Sequence, residues 1–156
     1  MQNVGATAPD FELPDQNGAS VTLDALLNNG DLILYFYPID FSPVCTAEAC
    51  AFRDRYDGIR ETGLQVVGVS PQSAETHRIF ARQFNLPFPL LSDSRKRTIR
   101  AYGVDGPFGF GVRRATFLID QSKTIRSRVV SDLLVGSHTE LIDRTINTGR
   151  LAAPHR

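Results

Sequence analysis

The stretch Leu32-Ile33-Leu34-Tyr35-Phe36-Tyr37-Pro38-Ile39-Asp40-Phe41-Ser42-Pro43-Val44-Cys45 decides how this chain is read. Its first half is a continuous apolar run, the pattern of a strand buried on both faces in a sheet that helices cover. Its second half carries the signals of a helix start, because Ser42 is a good N-cap and Pro43 a favoured first helical residue. A buried strand therefore runs through a short loop into a helix, with Cys45 at the third helical position. The unpaired N–H groups and positive dipole end of such a helix start favour the anionic form of a thiol placed there.

Outward from this unit, residues 65–69 and 88–91 read as further buried strands. Helices are expected over residues 43–61, over 73–84 behind the N-cap Ser73, and over 94–102 ending at Gly103. Near the N-terminus, Phe11-Glu12-Leu13 and Val21-Thr22-Leu23 alternate apolar and polar residues around Asn17-Gly18, which predicts a hairpin. Residues 115–119 and 125–130 flank the polar turn Asp120-Gln121-Ser122-Lys123 and predict an antiparallel pair at the end of the sheet. The last helix is expected near Ser137, whose spacing to Glu140 matches a capping box. No repeat or linker divides the chain, so residues 1–156 read as a single α/β domain: a mixed central sheet flanked by helices, with an N-terminal β-hairpin.

Composition narrows the function. The 42% hydrophobic and 22% charged residues are ordinary globular figures, and 17 Lys and Arg balance 17 Asp and Glu, so nothing in the net charge attracts nucleic acid or an anionic membrane. The run from Leu32 to Tyr37 is far too short for a membrane span, and residues 1–15 lack the basic and apolar regions of a secretory signal. The expected location is the cytoplasm, unless an address segment has been removed. In that reducing compartment two close cysteines, Cys45 and Cys50, read as a reactive pair rather than a scaffold.

At about 100° per residue, Ala49, Phe52, Tyr56 and Ile59 all lie within about 40° of Cys45, so this cysteine faces the sheet. A buried thiol is ordinarily inert packing, since burial disfavours the anion. Reactivity requires a compensating cation near the helix start, and an arginine suits because it keeps its charge. Cys50 lies about 140° further around, with an ideal Cα separation of roughly 8.7 Å. A disulfide needs about 4.4–6.8 Å, so joining the two cysteines requires the helix to unwind locally.

Pro38, Ser42 and Cys45 stand in the spacing P-x-x-x-[ST]-x-x-C, followed by Thr46, Glu48 and Cys50 and later by Arg114-Ala115-Thr116-Phe117-Leu118-Ile119-Asp120. This pattern resembles the peroxiredoxins, and the C-x-x-x-x-C spacing resembles their peroxiredoxin Q or bacterioferritin comigratory protein subgroup. The similarity runs from about Ala8 to Ile146. It implies a thioredoxin-like fold and a thiol peroxidase acting on hydrogen peroxide or small organic hydroperoxides, with no metal, haem or flavin. By the same resemblance Cys45 is the peroxidatic and Cys50 the resolving cysteine of an intramolecular disulfide, re-reduced by a thioredoxin- or glutaredoxin-type partner. Ser42 takes the place of the usual Thr that contacts thiolate and peroxide, Arg114 pairs with the thiolate, Glu48 orients that arginine, and Pro38 shields the pocket. Self-pairing within one helix lets a monomer complete the cycle and leaves a dimer open.

Such chemistry is a displacement at oxygen, and donors fixed along its line are expected from the Ser42 hydroxyl, the Cys45 backbone N–H and the Arg114 guanidinium. Two other readings of the cysteine pair stay open. One is a general disulfide oxidoreductase, although C-x-x-C is lacking. The other is a redox sensor or holdase in which unwinding exposes Phe52 and Tyr56. Remaining features read as ordinary surface. Phe108 and Phe110 are expected to pack within the loop 105–111, with bordering the pocket or binding a partner as the other reading, and Gly109-Phe110-Gly111 is too incomplete to cradle a pyrophosphate. The cluster Arg95-Lys96-Arg97 with Arg100 reads as a solvated helix face, and Arg126 and Arg128 as the wet face of a strand. His77, His138 and His155 have no zinc-site spacing and read as surface histidines.

Overall fold

The structure is a computed structural model that describes residues 1–132 and 135–152, with side chains through residue 147. A two-stranded antiparallel hairpin, β1 (Glu12–Pro14) and β2 (Ser20–Thr22), precedes a five-stranded sheet. That sheet contains β3 (Leu32–Phe36), β4 (Gln65–Ser70), β5 (Leu90–Ser92), β6 (Ala115–Ile119) and β7 (Ile125–Val130) in the order β5-β4-β3-β6-β7. The pairs β3–β4 and β4–β5 are parallel, whereas β3–β6 and β6–β7 are antiparallel. The mixed sheet expected from the sequence is therefore present, with β3 at its centre.

Every residue of β3 is buried. Leu32, Leu34 and Phe36 join one core with Phe117, Ile119, Ile99 and Tyr102, while Ile33 and Tyr35 join a second core on the opposite face with Cys45, Phe52, Ile59 and Phe80. Among the described residues, six α-helices cover the two faces: α1 (Leu23–Leu27), α2 (Pro43–Asp54), α3 (Tyr56–Glu61), α4 (Ala74–Gln83), α5 (Arg97–Tyr102) and α6 (Val135–Ala152).

Several boundaries differ from the sequence reading for local reasons. Leu23 starts α1 rather than ending a strand, because the Thr22 hydroxyl caps Ala25 N–H and Leu23, Leu26 and Leu27 bury one face of a helix too short to show periodicity. The expected helix over 43–61 breaks at Arg55. Its guanidinium occupies the Ala51 carbonyl at 3.0 Å while its own N–H turns to Phe52 O at 3.2 Å. Strand β5 begins at Leu90, not residue 88, since Pro87 and Pro89 have no N–H to give a ladder. Helix α5 begins at Arg97 because Lys96 is left-handed at φ 56° and Asp93 Oδ2 accepts Ile99 N–H at 2.8 Å. Ser137 lies inside the first turn of α6, so it is not the expected cap; the buried His138 anchors that turn instead.

Candidate active site

The sheet register builds the site. Because β3 and β6 are antiparallel with Phe36 opposite Ala115, the end of β3 that leads into α2 adjoins the residue before β6, which is Arg114. Two segments 69 positions apart in sequence thereby meet. Ser42 is the N-cap of α2, and its Oγ accepts the Cys45 N–H at 3.2 Å. Cys45 is the third helical residue, 2% exposed, on the stripe with Ala49, Phe52 and Ile59 that packs against Tyr35 and Tyr37.

Arg114 supplies the expected cation. Its guanidinium, almost wholly buried, donates from Nη2 to Cys45 Sγ at 3.1 Å and from Nη1 to Glu48 Oε1 at 2.8 Å. It is held from the other side by Asp132, whose Oδ1 accepts the Arg114 backbone N–H at 3.0 Å and whose carbonyl accepts Nε at 3.4 Å. Burial disfavours the charge of Arg114, yet the negative surroundings of Glu48 and Cys45 outweigh it and raise its affinity for the proton. Burial pushes the Glu48 carboxyl from 4.5 up to about 7, against the downward pull of Arg114. Its Oε2 is buried without a hydrogen-bond partner among the described residues.

His138 closes the far side of this cluster. Its Nε2–H donates to Ser131 O at 3.0 Å, so Nδ1 accepts the Thr116 hydroxyl at 2.7 Å and lies 3.7 Å from Glu48 Oε2. Burial, with the field of Arg114 adding to it, keeps this imidazole below its ordinary pKa and hence neutral. On the other flank His77 Nδ1 contacts Asp40 Oδ2 at 2.5 Å, and Tyr37 donates its hydroxyl to Asp40 Oδ1 at 2.6 Å.

Ser42, Cys45, Glu48 and Arg114 thus converge. Pro38 is half-buried and borders, with Pro107, Phe110, Val112, Arg114 and Asp132, an open cavity of about 620 Å³. Cys50 is half-buried further along α2, and both cysteines are free thiols on one continuous helix. Three expectations need correction. The Cys45 N–H is engaged by Ser42 Oγ rather than directed at a substrate oxygen, while the Ser42 hydroxyl hydrogen stays available for donation. His77 and His138 are both 0% exposed, not surface residues; their partners Asp40 and Thr116 come from other elements and leave no local signal. His155 lies outside the described residues. Finally, Phe108 and Phe110 are 99% and 79% exposed, because loop 105–111 closes through its backbone and through Lys96 Nζ on the Gly109 and Gly111 carbonyls, without a core of its own.

Asp132 is a further site residue that sequence reasoning missed. A short-range pattern cannot reveal it, since it meets Arg114 only through the pairing of β6 with β7.

The model of the AhpC/TSA family matches residues 4–128. The chain belongs to the AhpC/TSA family. Within the family its relatives are peroxiredoxins of the Q and bcp type. A putative peroxiredoxin bcp from Coxiella burnetii is 41% identical over 148 residues, covering 90% of this chain and 97% of that one. The chloroplastic peroxiredoxin Q of Sedum lineare is 40% identical over 123 residues, 78% of this chain and 66% of the plant protein. The chain spans under two-thirds of the length of such chloroplastic relatives. Among solved structures, the peroxidoxin BcpB of Mycobacterium tuberculosis superposes with a TM-score of 0.88 at 34% identity over 99% of this chain and 100% of that one. The thioredoxin-like peroxiredoxin fold expected from the motifs is thereby established.

Proposed function

We propose that this peroxiredoxin reduces hydrogen peroxide and small organic hydroperoxides through Cys45. The observation that carries the reading is the forked contact of Arg114, with one N–H on Cys45 Sγ at 3.1 Å and another on Glu48 Oε1 at 2.8 Å. A guanidinium so placed holds an anionic sulfur beside a fixed array of donors, and the Ser42 hydroxyl adds a donor that can follow the substrate oxygens. The sulfur lone pair attacks one peroxide oxygen, an S–O bond forms as the O–O bond breaks, and the departing alkoxide or hydroxide takes a proton to leave as alcohol or water. Charge grows on the leaving oxygen, so donors fixed before the reaction stabilise the transition state more than the ground state.

The resulting sulfenic acid condenses with the Cys50 thiol, releasing water and forming an S–S bond once α2 unwinds. An external dithiol of thioredoxin or glutaredoxin type returns both sulfurs to thiols. The cycle closes within one chain, as suits a monomer, and it requires a reducing compartment such as the cytoplasm. The cavity beside Pro38 and Arg114 gives room for an alkyl group as well as for hydrogen peroxide.

The reading is tested by thioredoxin-coupled peroxide consumption. Cys45→Ser should abolish turnover, and Cys50→Ser should allow one oxidation and then stall. Full coupled activity in Cys45→Ser would refute it. Insulin disulfide reduction outpacing peroxide consumption would favour a general oxidoreductase instead.

A further inference from the structure

Directly before α2 lies a second buried polar cluster that the peroxide chemistry does not use. The side chains of Asp40 and His77 are both 0% exposed, and His77 Nδ1 stands 2.5 Å from Asp40 Oδ2. The other ring nitrogen, Nε2, lies 3.2 Å from the Leu91 carbonyl, which can only accept. Nε2 therefore bears a hydrogen, and a second hydrogen must sit between Nδ1 and Oδ2, since two bare lone pairs would repel at that distance. The remaining atoms of Asp40 are also engaged. Tyr37 donates to Oδ1 at 2.6 Å, and Gln72 Oε1 accepts the Asp40 backbone N–H at 2.5 Å. Asp40 is thus fastened to the end of β3, to the β4–α4 loop and to α4 at once.

Only Phe41 and the cap Ser42 separate Asp40 from the first residue of α2. Phe41 is left-handed at φ 68°, a conformation that a bulky residue keeps only where its surroundings impose it. With Asp40 fixed and Phe41 strained, the place where α2 starts is determined, and with it the position of Ser42 Oγ and Cys45 Sγ against Arg114. Arg114, held by Asp132, meets α2 only at Cys45 and Glu48, inside the helix, whereas Asp40 acts on the segment that precedes it.

We infer that the Asp40–His77 pair, sharing one buried proton, is a positioning device that keeps the start of α2 wound and Cys45 in register with Arg114, and that it sets how readily α2 unwinds to let Cys45 meet Cys50. The inference rests on the peroxidase reading of Cys45. Loss of the pair lets the strained Phe41 relax and the first turn of α2 drift, so oxidation by peroxide slows while closure of the disulfide speeds up. These two effects have opposite sign, which a general loss of stability does not produce.

The test is rapid-mixing kinetics on wild type, Asp40→Asn and His77→Gln, with Leu27→Ala as a control that softens the core on the opposite sheet face. Asp40→Asn is expected to lower the second-order oxidation of Cys45 by about tenfold to a hundredfold, the effect of an ångström-scale misplacement. It should raise the first-order rate of Cys45–Cys50 closure by about tenfold, the loss of a buried hydrogen bond, and lower the sulfinic acid formed at high peroxide. His77→Gln should move both rates the same way. Amide exchange at Cys45 and Thr46, whose N–H groups go to Ser42 Oγ and Ser42 O, should quicken while that of β4 does not. Unchanged rates in both variants, or equal changes in Leu27→Ala, would overturn the inference. If wild type itself reacts no faster than free cysteine, the peroxidase reading fails first, and that outcome is seen in the same experiment.

Discussion

Arg114 Nη2 lies 3.1 Å from Cys45 Sγ, and the two residues are brought together by the antiparallel pairing of β6 with β3 rather than by any local segment. The same guanidinium reaches Glu48 with its other terminal nitrogen, so its planar fork spans sulfur and carboxylate at once. A lysine cannot do this, because its ammonium is a single point charge. Arg114→Lys should therefore slow oxidation of Cys45 by about a hundredfold, measured by stopped-flow with hydrogen peroxide. It should also destabilise the fold by about 3 kcal/mol, because the Glu48 carboxylate would remain buried with an imperfect partner.

Glu48 should write a pH dependence into both stability and rate. Its folded pKa, about 7, lies above its ordinary 4.5 because burial outweighs Arg114. The folded chain binds this proton more tightly than the unfolded chain, so the stability it contributes is fully present below pH 4.5 and is lost as pH rises through about 7. Measured by denaturant titration against Glu48→Gln, wild type should gain up to about 3 kcal/mol on going from neutral pH to the lower value. The oxidation rate of wild type should rise through an inflection near pH 7 that Glu48→Gln lacks, since the ionised carboxylate is what anchors Arg114.

Gly68 on β4 packs against the ring of Tyr35, and a Cβ there would come within 2.7 Å of Tyr35 Cζ. Tyr35 in turn stacks on Tyr37 and meets Phe52 of α2 edge-on. Gly68→Ala should cost about 1–3 kcal/mol by overpacking, read as a lower denaturation midpoint. Gly136, whose Cβ would meet nothing within 4 Å, is the comparison: Gly136→Ala should show no clash of this kind.

Cys50→Ser should leave the first oxidation of Cys45 at the wild-type rate, because the Arg114 fork is spent on Cys45 and Glu48. Mass analysis after excess peroxide should then find sulfinic acid at Cys45 instead of a loss of two hydrogens.

Much of the site could be read from local pattern. Ser42-Pro43 fixed where α2 begins, and the stripe through Ala49 and Phe52 oriented Cys45 to the sheet, because cap chemistry and helical period are short-range properties. Arg114 and Glu48 were reached through motif resemblance, and the register of β3 against β6 supplies the physical reason they meet. The burial of the two histidines is not legible in the sequence, because it depends on distant partners: Asp40 lies 37 positions from His77, and Thr116 lies 22 from His138. The exposure of Phe108 and Phe110 was equally hidden, since it follows from Lys96 tying down the backbone of their loop. The breaks at Arg55 and Lys96 likewise arise from side-chain and dihedral choices that periodicity does not encode.

The central claim is that Arg114 and the start of α2 hold the Cys45 sulfur ready to cleave an O–O bond. Its most direct test is stopped-flow oxidation of the reduced chain by one equivalent of hydrogen peroxide at neutral pH, followed by intact mass. The account predicts oxidation at least about a thousandfold faster than free cysteine, ending in a product two hydrogens lighter with Cys45 and Cys50 joined. A rate equal to that of free cysteine would contradict it.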